Sequence, residues 1–265
     1  MENKITRNKK IKNIMIIFAI ILIGITSTLF VSNIFFKKNQ SYNYKDINSY
    51  NIDVENAEIS IVTEKGIENK TEIKIYMSGI GNYESILVIE KDGILSISQN
   101  SKVNLIPNIG GSVKVELINT YVDENRINNF TIHTKSGAVK AQGINSELID
   151  IDTHSGKVHL SEIISDKLTV KTQSGEIAVD NIYTQYFENT SQSGKCTVSF
   201  NENITQLSAV SKSSSGDVSY IFTNDIDLNL SWKARNVTSE IESDENSLNK
   251  LYFESESGNI KIIRP

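Results

Sequence analysis

Three stretches decide the reading of this chain: FTIHTKSGAVKAQGI at 130–144, IDIDTHSGKVHLSEI at 149–163 and LTVKTQSGEIAVDNI at 168–182. Laid over one another they repeat every 19 residues around a Ser-Gly pair. Further pairs stand at Ser193-Gly194, Ser215-Gly216 and Ser257-Gly258, so the repeat runs to the end of the chain. The last interval, 42 residues, is about twice the others and implies one degenerate copy between. Self-similarity at a period of about 20 residues is the mark of a solenoid.

The residues around each pair define columns. Six before each serine stand Phe130, Ile149, Leu168, Phe187, Ala209 and Leu251. Two before stand Thr134, Thr153, Thr172, Ser191, Ser213 and Ser255. Two after each glycine stand Val139, Val158, Ile177, Cys196, Val218 and Ile260. Polar residues fall between, as in His133, Asp152, Lys171, Thr190, Lys212 and Glu254. Apolar-polar alternation of period two is a half-buried strand. Leu228, Leu230, Trp232 and Val237 supply the missing copy, with Ala234-Arg235 at its turn. A weaker eighth copy is Tyr50, Ile52, Val54, Asn56-Ala57, Ile59 and Ile61.

These columns predict an all-β chain: a β-solenoid of about seven rungs over 130–265, cornered by Gly137, Gly156, Gly175, Gly194, Gly216 and Gly258. Glycine is expected there for its access to positive φ, and serine for hydrogen bonds to nearby backbone. An antiparallel meander of hairpins is the local alternative, but it demands no fixed pitch. The Thr134, Thr153 and Thr172 column predicts a structural hydroxyl ladder. Residues 49–129 keep strand character without the period, at 71–77, 86–90, 94–98 and 113–118, with a hairpin turn at Lys91-Asp92-Gly93. They are expected to cap the first rung and hide its edge.

Ahead of this body lies a different kind of sequence. Residues 14–36 are uncharged and dominated by Ile, Leu, Phe and Val. As a helix they reach across a bilayer core of about 30 Å. A cleaved signal peptide would have a shorter apolar run and a small-x-small site, so an uncleaved signal anchor is expected. Basic residues in 1–13 place that tail in the cytoplasm and the C-terminal domain outside it, in a single pass. The polar stretch 37–48 reads as a stalk. Seven basic residues against Glu2 give residues 1–38 a charge of +6, and the total of −5 leaves −11 for 39–265. An acidic body of that kind repels phosphate backbones, which excludes nucleic acid as a partner.

The repeat motifs quoted at the outset resemble the bacterial DUF4097 family, whose members are labelled candidate adhesins and include LiaG-like cell-envelope proteins. The likeness spans about residues 47–265. It implies a β-solenoid-like domain at the bacterial surface, with no known catalytic residues.

The residues themselves offer no constellation for catalysis. His133 and His159 fall on outward columns, and His154 lies beside a corner. Asp150 and Asp152 are the nearest thing to an acidic pair, but the next rung has Thr169 and Lys171 at those places. The single cysteine, Cys196, excludes an intramolecular disulfide and falls on an inward column as a buried thiol. No cofactor or metal is expected. Two function classes remain: a non-enzymatic, adhesin-like binding or structural module contacting an envelope polymer or protein, and an accessory regulator of an envelope-stress system. The last rung, Leu251 to Ile262, has no polar helix after it, so this C-terminal edge is expected to be open and blunted only by Arg264 and Pro265; a monomer with a barely protected end is the expectation, and weak end-to-end self-association is the alternative.

Overall fold

The computed structural model describes residues 35–80, 85–100, 109–121 and 126–264. They form twenty strands and no helix. Each rung has a strand before its corner, in one face of the rod, and a strand after it, in the other.

The central rungs are β8 (Ile127–Thr134) with β9 (Val139–Gln142), and β10 (Asn145–Thr153) with β11 (Val158–Ser161). They continue through β12 (Ile164–Thr172) and β13 (Ile177–Ser191), the long strand that serves both faces, to β14 (Cys196–Phe200). Then comes β15 (Ser208–Ser213) with β16 (Val218–Phe222). Every neighbouring pair is parallel and in the register the columns require: Phe130, Ile149, Leu168 and Phe187 are aligned, as are Val139, Val158, Ile177 and Cys196. Parallel pairing excludes the hairpin meander and gives a solenoid-like fold. The aligned apolar columns make one continuous core between the two faces.

The eighth copy is present. β2 (Ser49–Val54) lies beside β8 with Tyr50 on Phe130, and β3 (Ala57–Lys65) beside β9. A further rung outside it comes from β6 (Ile94–Asn100) and β7 (Ile109–Tyr121). Antiparallel strands then close that end: β5 (Ser85–Lys91) on β6, and β4 (Lys70–Ile80) on β7. Asp92 and Gly93, at φ 54° and 77°, make the β5–β6 hairpin turn where the sequence predicts it.

Two expectations are corrected. The stretch 37–48 is not a stalk: β1 (Phe35–Lys45) runs antiparallel to β4 along its whole length. Its Tyr42 and Tyr44 pack against the core at alternating positions, so an edge that β4 would leave open is covered. The predicted span 14–36 lies outside the described residues except for Phe35 and Phe36, which begin β1. No helix among the described residues is long and apolar enough to cross a membrane.

The second correction concerns the far end. The last rung in the chain, β19 (Lys250–Ser255) and β20 (Asn259–Ile263), is not the last in space. It pairs with β15 and β16 on one side and with β17 (Asn229–Lys233) and β18 (Asn236–Ser239) on the other. The reason lies in the degenerate turn. Lys233 aligns with Glu254 and Asn236 with Asn259, so Ala234-Arg235 spans with two residues what Ser255 to Gly258 span with four. That corner has no glycine to seat on the column, whereas Gly258 seats on Gly216. The degenerate rung therefore ends the stack, and Trp232 is left 46 % exposed there.

The end is also covered. Residues 240–249 cross it, burying Ile241, with Asp244 N–H donating to Leu228 O at 2.9 Å and Leu230 N–H to Ser243 Oγ at 2.9 Å. Arg264 does not blunt an edge. It pairs with Asp225 at 2.7 Å and donates to Ile226 O at 3.1 Å, fastening the chain's end to the side of the rod. Ile262 is fully buried. An aspartate there introduces an unpaired charge into the core, and Ile262→Asp is expected to lower the urea midpoint severely or abolish folding. Thr238→Asp, exposed on the spatially terminal rung, should shift stability by no more than about 0.5 kcal/mol. The reverse ranking in equilibrium unfolding would contradict this stacking order.

Candidate functional site

The six predicted corner glycines stand in one buried column, but not for the reason expected. None has positive φ; among the described glycines that conformation belongs to Gly93 and Gly143. The requirement is space. A Cβ on Gly175 would run into the carbonyl oxygen of Gly156, far inside the 3.0 Å that real Cβ atoms keep, and the same holds from Gly137 to Gly258. The hydroxyl ladder is structural, as predicted: Thr153 Oγ1 accepts from Gly156 N–H at 2.9 Å, and Thr172 Oγ1 from Gly175 N–H at 2.8 Å. Positive φ belongs instead to a second corner that the columns did not reveal, at Gly143, Glu162 and Asn181. These glycines are scaffold, and a site must be sought on the outside of the rod or at its ends.

Outside, a shallow groove of about 730 Å³ runs beside the Ser-Gly corners across five rungs. One line of its wall is Asp53, His133, Asp152, Lys171 and Thr190, neighbours in strand register. A second line carries Glu55, Lys135, His154, Gln173 and Gln192. Lys135 is ion-paired to Glu55 across two rungs. His133 and His154 therefore share this groove, while His159 lies exposed on the other face of the rod. Asp152 lines the groove and Asp150 does not. Among the described residues, no three of His, Cys, Asp and Glu gather as a metal site would require.

A second concavity, of about 250 Å³, lies at the capped end between β2, β3, β4, β7 and the start of β8. Sequence columns could not reveal it, because its wall comes from residues as far apart as Asp46 and Asn145. Tyr50 lies in that wall, stacked on Phe130 with ring centres 4.8 Å apart. Its hydroxyl is 2.6 Å from Thr71 Oγ1 and donates to Asn119 Oδ1 at 3.2 Å. Burial pushes this phenol up to about 12, only partly offset by the Thr71 hydrogen bond. Arg126 is held bidentately by Asp166 at 2.8 and 2.9 Å and donates to Ser146 O at 2.9 Å. Four polar atoms of the lining side chains are buried without a partner: Thr63 Oγ1, Asn119 Nδ2, Arg126 Nε and Asn145 Oδ1.

With the geometry in view, the family follows. The chain matches Toastrack DUF4097 over residues 31–263, and it belongs to that family. No curated protein matches it. Among solved structures it resembles a candidate cell adhesion protein from Clostridium sporogenes, at 15 % identity over 87 % of this chain and 100 % of the other, with a TM-score of 0.37. It also resembles a candidate adhesin from Bacteroides fragilis, at 17 % identity over 85 % and 97 %, with a TM-score of 0.44. A third is a candidate lipid-binding protein from Parabacteroides distasonis, at 12 % identity over 86 % and 97 %, with a TM-score of 0.46.

Cys196 is buried as predicted, and loss of hydration pushes its thiol up to about 12. Both Cys196 and Tyr50 are thus held neutral in the fold and ionise more easily in the unfolded chain. Their contribution to stability is whole below about pH 9 and is lost as the pH rises toward 12. The urea midpoint should fall steadily above about pH 9, and in Cys196→Ala the onset should move toward about pH 10, where unfolded tyrosine ionises. A midpoint constant from pH 8 to pH 11 would refute this.

Proposed function

We propose that this chain is a non-catalytic, adhesin-like binding module of the bacterial envelope, anchored by residues 14–36 with its rod outside the cytoplasm. The observation that supports the reading is the groove beside the glycine corners. It crosses five rungs, offers polar side chains at each step with acidic, basic and neutral groups following one another along the rod, and repeats at the roughly 4.8 Å spacing of hydrogen-bonded strands. Such a surface suits an extended polymer lying along the rod, contacted by many weak hydrogen bonds, rather than a small substrate held for reaction. Acidic Asp53 and Asp152 alternate with His133 and Lys171, so the groove fits a chain of mixed polar groups rather than a polyanion. The alternative, an accessory regulator of an envelope-stress system, has no feature of the groove in its favour.

Cosedimentation of the full chain with purified cell-wall sacculi tests the binding reading. His133→Ala, Asp152→Ala and Lys171→Ala, combined, should weaken retention at least about tenfold, because three rungs of contacts are lost while every mutated side chain is exposed. Unchanged retention, or none by the unaltered chain, would remove the polymer and leave a protein partner as the occupant to seek. Orientation has its own measurement: protease added to intact protoplasts is expected to digest the rod, and protection until lysis would reverse the topology.

A further inference from the structure

We propose that the capped end of the rod rests on the bilayer, with the outward side chains of the β5–β6 hairpin dipping into the boundary between headgroups and acyl chains. The inference rests on the anchoring reading above and adds what the body touches once it is anchored.

β1 removes the spacer between membrane and body. It takes Phe35 and Phe36 from the apolar run and pairs with β4 residue by residue, from Phe35 opposite Ile80 to Lys45 opposite Lys70. Residues 14–34 remain, all uncharged, and as a helix they still reach about 30 Å, the thickness of a bilayer core. An anchor of that extent runs straight into a paired strand, so nothing between them lets the body drift away from the membrane. The strand it enters is the outermost of its face: among the described residues, β1 pairs with β4 alone. β5 holds the same place in the other face, paired there with β6 alone. The chain thus leaves for the membrane from the capped end.

The outward face of the rod is apolar at that end and polar behind it. In the β5–β6 hairpin Ile86 and Val88 face inward with Leu95 and Ile97. Alternation turns Leu87, Ile89 and Ile94 outward, where each is nearly half exposed. In the same register the next two rungs place Ser49, Asn51 and Asp53 outward, then Asn129, Thr131 and His133. An exposed apolar edge strand invites pairing with another chain, and natural proteins cover or blunt such edges. A bilayer held against the hairpin is a cover that the anchor brings with it. The backbone sets the depth. The open edge of β5 carries unpaired N–H and C=O groups that cannot enter hydrocarbon unsatisfied, so the side chains alone dip in. Shallow seating of this kind is how amphipathic elements hold to a membrane surface. Lys91, opposite Ile94 on the same outward face, can lay its stem along the patch and keep its ammonium among the headgroups.

The chain carries a natural reference point for a test. Leu87 and Trp232 stand on the two outermost strands of one face, nine strand steps apart, or about 43 Å at roughly 4.8 Å per step. Trp232 is the only tryptophan, and its exposure of 46 % nearly equals the 49 % of Leu87. Water reaches both positions alike, and lipid should reach one.

The full chain is reconstituted into phosphatidylcholine–phosphatidylglycerol vesicles whose acyl chains are brominated near the headgroup, the vesicles are floated, and tryptophan fluorescence is read. Trp232 in the unaltered chain should be unquenched by the brominated lipid. Leu87→Trp combined with Trp232→Phe should be quenched, and adding Ile89→Glu and Ile94→Glu should abolish that quenching. Circular dichroism confirms the β fold of each variant. A chain that does not float with the vesicles overturns the anchoring reading and this inference together. If it floats, equal behaviour of the two positions, or quenching that survives both glutamates, overturns this inference alone. So does emission from position 87 that shifts to the blue with protein density and ignores bromine, which would name a second copy as the occupant.

Discussion

Every corner of this rod rests on the corner before it. The glycine carbonyl of one rung occupies the space that a Cβ of the next would need, from Ala57 under Gly137 through to Gly216 under Gly258. Around that contact the backbone forms its own ladder: Ser155 N–H donates to Lys135 O at 2.8 Å, and Ser174 N–H to His154 O at 3.0 Å. The glycine N–H cannot join this ladder and turns inward to the hydroxyl three residues before it. A hydroxyl, a small side chain and no Cβ at fixed offsets are thus one requirement, not three. Meeting it at every level locks the register and carries the inward columns into alignment.

The same requirement settles the order of the rungs. A copy without the glycine cannot itself be seated on the column, so the Ala234-Arg235 rung takes the end although a later copy follows it in the chain. At the other end Ala57 stands in the same column and offers its carbonyl to Gly137. One further rung, β6 and β7, pairs parallel outside it, and the fold then changes to antiparallel pairing, with β1, β4 and β5 closing the stack. Solenoids need capping units because each rung buries its face only against neighbours. Here one end is capped by strands and the other by residues 240–249.

What the sequence made legible follows from which constraints act locally. The inward columns, the degenerate turn and the copy at 50–61 all sit on one template, so each could be found by offset alone. The second corner could not, because positive φ is met there by Gly143, Glu162 and Asn181, three different side chains with no shared letter. The purpose of the Ser-Gly glycine was misread for a related cause: offset shows that a side chain is forbidden, but not whether the backbone dihedral or a neighbouring carbonyl forbids it. β1 escaped notice because Tyr42 and Tyr44 are only partly buried and stand among Asn, Ser and Lys. Stack order is a property of pairing between copies and leaves no trace within any one of them.

The outward side is under no comparable constraint, and this is why function is harder to read than fold. Along the column His133, Asp152, Lys171 and Thr190 the side chain changes at every rung, while the Thr and Ser beneath the corners hardly change at all. The periodic middle of the rod is thus a fixed frame on which any polar surface can be displayed. The capped end differs in kind. There the repeat breaks, side chains from β2, β3, β4 and β7 converge with Arg126 and Asn145, and polar atoms are enclosed that no neighbouring rung satisfies. A repeating surface presents the same spacing at every step, whereas an aperiodic one gathers side chains that are distant in sequence. The fold thereby sets two kinds of surface along its length, one on the side where the rungs are alike and one at the end where they stop being so.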